Sequence, residues 1–214
     1  MLATRADLAF ALTNLSRFAS EPHQIHMQAL KRVLRYIKGT RDFKLIYPKG
    51  SADSLCGESD ASWSVTRDGK GFSAYLVRVA GAITAWKSLK QKMVALSSAE
   101  SELLAALEGV RELIWFRGLL TELKVGLVNY PIILYVDSQA LISMITSFGL
   151  TARTKHFARK LCFVREEIEK GNIVLKYKPS EFLSVDVLTK NVSNVVMQRH
   201  LANINLLLFS NNHK

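Results

Sequence analysis

Cysteine, long apolar runs and acidic residues are all scarce in this chain of 214 residues. The two cysteines, Cys56 and Cys162, each sit inside an otherwise apolar or periodic segment. They supply neither a disulfide framework nor a zinc site, and read as small buried hydrophobes in a reducing compartment. No segment approaches the roughly 20 apolar residues that a membrane span requires. No apolar stretch of signal-peptide length follows Met1. The expected setting is therefore intracellular, cytoplasm or nucleus, with no membrane partner. Internal repeats and low-complexity tracts are also missing. Acids are the minority charge: 18 Asp and Glu stand against 29 Lys and Arg, a net charge of +11. That excess fits a polyanionic partner, most commonly nucleic acid. It fits equally a basic surface that keeps the protein soluble.

What is present is a globular composition, 49% hydrophobic and 22% charged, long enough for one full domain and a smaller element. Leu8, Leu12, Leu15 and Phe18 recur at helical spacing until Glu21-Pro22 interrupts them. A second helix is predicted from about Pro22 to Lys38, ending at Gly39, with Lys31, Arg32, Arg35 and Lys38 on one face. Pro48, Gly50, Ser51 and Ser54 read as a linker. Beyond it, Ser54 to Ala61 reads as a strand, and Gly71 to Ala80 and Ala82 to Lys87 as a hairpin turning at Gly81. Ser97 and Glu100 have capping-box spacing and open a helix to about Leu123. Tyr130 to Val136 has the continuous apolar run of a strand covered on both faces. A short helix after Ser138, a longer one from about Lys155 to Lys170, a strand Ile173 to Tyr177 and a last helix from near Asp186 complete the order. The expectation is an α/β fold with a mixed five-stranded sheet, three antiparallel strands then parallel ones, flanked by helices and preceded by an α-helical hairpin. The corresponding division is 1–50, 51–205 and a tail of 206–214.

Four acids fall at the ends or first turns of these elements. Asp60, in Glu58-Ser-Asp-Ala-Ser-Trp63, taken alone is a turn acid. Glu102 lies where a helix dipole favours an acid. It also shares a stripe with Ala106, Gly109 and Leu113, whose small members let a helix approach a sheet closely. A carboxylate on such a face must be paired, protonated or bound to metal. Asp137 ends an apolar strand, where it could cap the next helix or face a ligand at the carboxyl edge of the sheet. Asp186 has a capping explanation as well. Singly, each acid is explained by structure; together, like charges of this kind repel unless cations neutralise them. An all-oxygen set suits Mg²⁺ or Mn²⁺ rather than zinc.

Ser59-Asp-Ala-Ser-Trp63, Ala95-Leu-Ser-Ser-Ala-Glu-Ser-Glu102-Leu-Leu-Ala-Ala106, Tyr135-Val-Asp-Ser138, Arg153-Thr-Lys-His156 and Asp186-Val-Leu-Thr-Lys190 resemble, in order and spacing, the ribonuclease H domain of copia/Ty1-type LTR retrotransposon Pol polyproteins. Residues 51 to about 205 carry that resemblance. Thr4-Arg-Ala-Asp-Leu-Ala-Phe10 and Leu34-Arg-Tyr-Ile-Lys-Gly-Thr40 are similar to the end of the reverse transcriptase that precedes it. The resemblance implies a ribonuclease H-like fold and hydrolysis of the RNA strand of an RNA–DNA hybrid. It implies two Mg²⁺ ions, replaceable by Mn²⁺, roughly 4 Å apart, and no small-molecule cofactor. It selects Glu102 over Glu100 as the metal-binding glutamate. By the same resemblance Asp60 bridges both ions, Asp186 joins it at the ion that activates water, and Glu102 and Asp137 serve the ion facing the leaving group. Selectivity in the family comes from the 2′-OH and the hybrid's groove shape.

Arg153, Lys155, His156, Arg159 and Lys160 crowd one helix start as expected phosphate contacts. His156 is open to catalysis, product release or packing. The rest of a reverse transcriptase is a further expected partner. Three departures stand out. The loop Lys178-Pro-Ser-Glu-Phe-Leu-Ser-Val185 has no histidine. Leu183 and Val185 replace a polar amide and an alanine, so an altered approach to Asp186 is expected. Ala6 stands where the family generally has proline. The rival readings are a catalytically silent nucleic-acid-binding module and an interaction protein built on the hairpin. A chain that begins inside the reverse transcriptase's last helices is expected to leave apolar area exposed on helices such as Leu8 to Phe18.

Overall fold

The computed structural model describes residues 4–48, 55–63, 65–126, 131–147 and 157–208. Its central sheet is built from β2 (Cys56–Ser62), β3 (Phe72–Val79), β4 (Ala82–Lys90), β5 (Ile132–Val136) and β6 (Ile173–Tyr177). Their spatial order is β4-β3-β2-β5-β6. β2, β3 and β4 pair antiparallel, whereas β5 joins β2 and β6 joins β5 in parallel. This is the mixed sheet expected from the sequence, including its three-then-two change of direction. The hairpin turns through Ala80 and Gly81, both at positive φ, the backbone that a tight two-residue turn demands.

One face of the sheet is covered by α3 (Ser98–Glu122), α4 (Gln139–Thr146) and α5 (Ala158–Glu169). Leu103, Ala106, Leu107, Val110 and Leu113 of α3 pack with Leu134, Val136 and Leu161 into the larger core. The small-residue stripe does what its spacing implied. A Cβ on Gly109 would lie 3.3 Å from Leu134 and 3.6 Å from Ser59, and one on Gly57 would lie 3.1 Å from Leu113. The backbones at Gly109 and Gly57 therefore lie directly against side chains of the facing element, which lets α3 sit close to β2.

The opposite face carries a second core with contributions from both ends of the chain. Ala74, Leu76 and Ile83 of the sheet meet Ala6 and Ala9 from one side and Leu183, Val185, Val187, Leu188, Leu201, Ile204 and Leu206 from the other. The elements involved are a 3₁₀ turn at Ala6–Leu8, α1 (Ala9–Ser16), a 3₁₀ helix at Ser184–Leu188 and α6 (Asn194–Asn203). A separate two-stranded ribbon pairs β1 (Phe43–Leu45) with β7 (Leu206–Leu208). Phe43–Leu45 and Leu206–Leu208 are thus linked by backbone hydrogen bonds, and Ala6, Ala9 and Leu206 share a core with Ala74, Leu76 and Ile83.

Four local expectations are corrected. Asp186 lies in the 3₁₀ helix rather than at the start of the last α-helix, which opens at Asn194 with Ser193 as its cap. Its neighbours Val185, Val187 and Leu188 are fixed by core burial, not by helical periodicity. The exposed apolar area falls not on α1, where Ala9 and Phe10 are buried, but on α2 (Gln24–Gly39), which buries no residue and exposes Ile25, Met27, Leu30 and Leu34. Of the two cysteines, Cys162 is exposed and Cys56 half-buried, since both fall on partly solvated positions. β5 buries Ile132, Leu134 and Val136 but leaves Ile133 and Tyr135 half-buried.

Gly109→Val, which inserts a branched side chain between α3 and β2, is expected to lower stability by about 1–3 kcal/mol in urea unfolding. An unchanged midpoint would contradict the close approach. The apolar face of α2 should drive self-association. Light scattering should show a smaller species for the Leu30→Glu/Leu34→Glu double variant than for the parent at equal concentration.

Candidate metal centre

Asp60 points from β2 opposite Ala74, Asp137 directly follows β5, and Asp186 sits in the middle of Ser184–Leu188. One carboxylate oxygen from each lies within 4.8 Å of the other two. Asp60 is 3% and Asp186 7% exposed. Glu102, in the first turns of α3, is buried as well and falls outside that mutual limit. It faces the same cluster, because the Ala61 backbone N–H donates to it and the charges of Asp60 and Asp137 act on it.

Each acid has a local support. The Thr189 hydroxyl bonds Asp60 Oδ2 and sits 3.0 Å from the Asp186 carbonyl. Ser180 Oγ donates to Asp137 Oδ2 at 2.6 Å. Lys190 Nζ lies 2.8 Å from Asp186 Oδ2. Two buried oxygens are left over: Asp186 Oδ1 and Glu102 Oε2 have no hydrogen-bond partner. Buried polar atoms of this kind are costly unless something satisfies them. A hard divalent cation, which takes carboxylate oxygens, fits both the donor set and the unpaired lobes.

The electrostatics agree with the geometry. Burial first, and then the charge of Asp186, push Asp60 up to about 7, against the opposing pull of Lys190 and Thr189. Burial, followed by the charges of Asp60 and Asp137, raises Glu102 to about 9. Burial works against the charged form of Lys190, but its bond to Asp186 and the charges of Asp60, Asp186 and Asp137 outweigh it, and its pKa is raised. Beside Thr189 and Lys190 a cavity of about 1010 Å³ opens, bordered by Phe10, Arg17, Phe18, His26 and Arg67.

The basic cluster is only partly within view. Arg153, Lys155 and His156 lie outside the described residues. Arg159 is exposed in the first turn of α5, and Lys160 Nζ contacts Met93 Sδ in the loop ahead of α3. Leu183 and Val185 do not line an approach to Asp186; both are fully buried in the second core. Reading the sequence missed Thr189, Lys190 and Ser180. The spacing of Asp186 and Lys190, four residues apart, could have indicated the ion pair. Ser180 meets Asp137 across 43 residues and left no local signal.

The chain is 34% identical over 205 residues, 95% of its length, to the retrovirus-related Pol polyprotein from transposon RE2 of Arabidopsis thaliana. It is 37% identical over 194 residues, 90% of its length, to that from transposon TNT 1-94 of Nicotiana tabacum. It spans 14% of the length of each. No family model matches it. Among solved structures, RNase H1 from the halophilic archaeon Halobacterium salinarum aligns with a TM-score of 0.47 at 16% identity, covering 63% of this chain and 93% of that one.

The raised acids carry a pH signature. Asp60 and Glu102 hold protons in the folded state up to about 7 and 9, whereas unfolded carboxyls release them near pH 4. Their contribution is complete below that pH and is lost as pH rises through the two folded values. Without divalent cations, the melting temperature should therefore fall between pH 5 and 9. Asp60→Asn should flatten part of the fall, by about 2–4 °C per kcal/mol. Calorimetry giving the same pH profile for parent and variant would refute the crowding.

Proposed function

Because this chain belongs to the retrovirus-related Pol polyproteins of copia/Ty1-type transposons, we propose that it is a ribonuclease H-type endonuclease, dependent on divalent metal, that hydrolyses the RNA strand of RNA–DNA hybrids. The observation that carries the reading is the convergence of Asp60, Asp137 and Asp186 within 4.8 Å, with buried oxygens of Asp186 and Glu102 left unpaired. Asp60, Glu102, Asp137 and Asp186 would hold Mg²⁺, or Mn²⁺ in its place. Bound there, the ions supply Lewis acidity that lowers the pKa of water and stabilises charge on a departing phosphate-ester oxygen.

The chain's own residues do the rest. Thr189 and Ser180 hold Asp60 and Asp137 by single hydrogen bonds, which limits the rotation of each carboxylate. Lys190 holds Asp186 and adds a positive charge at the mouth of the cluster, where a phosphate would dock. The net charge of +11 favours a polyanionic substrate. Arg159 and Lys160, with Arg153, Lys155 and His156, are the proposed phosphate contacts. Such contacts place a duplex without reading its sequence, and the 2′-OH is the group that distinguishes the RNA strand. In hydrolysis one P–O ester bond breaks, and water supplies the hydroxyl to phosphorus and the proton to the leaving oxygen.

A hybrid labelled on its RNA strand, incubated with Mg²⁺ or Mn²⁺, should be cut by the parent chain. Asp137→Asn should reduce cutting at least a hundredfold (about 3 kcal/mol in the barrier). Intact binding with no cutting by the parent would replace the enzyme reading with a catalytically silent binding module.

A further inference from the structure

Two residues before Asp60, on the same side of β2, lies Glu58, a carboxylate 2% exposed that the sequence pattern does not mark. It is fully partnered. Lys178 Nζ donates to its Oε1 at 2.8 Å and the Ser184 backbone N–H to its Oε2 at 2.6 Å. Arg78 Nε lies 4.0 Å from Oε1. Arg78 in turn donates to Ser184 Oγ at 3.0 Å and to the Asn203 carbonyl at 2.8 Å. Lys178 is itself tied by its backbone N–H to the carbonyl of Val136, at 2.9 Å, the residue before Asp137. One buried side chain thus joins the three elements that carry the acid cluster: β2 with Asp60, the chain beside Asp137, and the turn with Asp186.

We infer that Glu58 is a positioning residue of the acid cluster, fixing the Asp186 turn through the Ser184 amide. The functional meaning of this role rests on the metal-dependent reading above. Glu58 is distinguished from the ligands by its oxygens, both taken by donors, whereas Asp186 and Glu102 each keep a buried oxygen without one. Ser184 is the first residue of its 3₁₀ helix, so its N–H has no partner within the helix. A carboxylate acceptor makes that bond short and about twice as strong as a neutral one. Leu183 and Val185 anchor the turn by apolar burial, which resists removal but leaves sliding and rotation less constrained. The bond between them supplies direction.

The test separates the amide bond from the charge and from general stability. Ser184→Pro deletes the N–H at a position whose preceding residue, Leu183, is already extended at φ −79°, ψ 120°, as a residue before proline should be. Ser184→Ala deletes only the hydroxyl. Glu58→Leu removes the acceptor, Glu58→Gln keeps one, and Lys178→Met removes the ion pair together with the ammonium's place over the Tyr135 ring. Two quantities are read on the full chain: half-saturating Mn²⁺ by calorimetric titration, and amide exchange over residues 185–188. Glu58→Leu and Ser184→Pro should raise half-saturating Mn²⁺ about tenfold and speed exchange, while Glu58→Gln, Ser184→Ala and Lys178→Met stay within about twofold, whatever their melting temperatures. Equal losses in Glu58→Gln and Glu58→Leu would overturn the inference, because charge rather than the bond would then be responsible. So would unaltered values in Glu58→Leu. Should Glu58→Leu fail to fold, the contrast between Ser184→Pro and Ser184→Ala decides alone. If the parent binds no Mn²⁺, the metal reading fails, and exchange still decides the role of Glu58: faster in Ser184→Pro upholds it, unchanged rejects it.

Discussion

Mutual repulsion among buried carboxylates is the constraint around which this protein is organised. Two charges no more than 4.8 Å apart repel by roughly 3 kcal/mol or more at an effective dielectric near 20, and one carboxylate oxygen from each of Asp60, Asp137 and Asp186 lies within that limit of the other two. A flexible chain would relieve the strain by turning these side chains outward. The fold prevents it by mounting each acid on a different rigid element and by covering those elements on both faces. Lys190 offsets part of the repulsion through its bond to Asp186. Protonation of Asp60 and Glu102 offsets more, and cations would offset the remainder.

Two cores supply the rigidity, and they do different work. The larger one presses α3 against β2 through glycine contacts, which sets the height of Glu102 over the sheet. The second one holds the Asp186 turn by its apolar residues. Leu183 and Val185 are buried there together with Ala6.

Much of the scaffold was legible because its causes are local. The cap at Ser97, the stripe Glu102–Ala106–Gly109–Leu113 and the apolar run ending at Val136 each declare an element within a few residues. The resemblance to ribonuclease H domains then picked Glu102 from two nearby glutamates, a choice that periodicity left open. What could not be read is long-range or non-periodic. The Asp186 turn resembles a helix start in sequence, yet tertiary burial makes it 3₁₀. Leu8, Leu12, Leu15 and Phe18 share helical spacing, but Leu12, Leu15 and Phe18 stay half-buried while the run Ala6 to Phe10 is buried. Glu58 and Lys178 are 120 residues apart, and nothing near either one signals the other.

The second core also has a history in time. Its components Ala6 and Ala9 leave the ribosome long before Leu201, Ile204 and Leu206 exist. At about 5–20 residues per second the wait is roughly 10–40 s, during which that face of the sheet lacks its cover and β1 lacks its partner. The larger core, whose last member is Ile173, can close before the Asp186 turn is held. In chain order the last buried member of the larger core therefore precedes Asp186, and the set of four acids is complete only once the Ser184–Leu188 turn has been made.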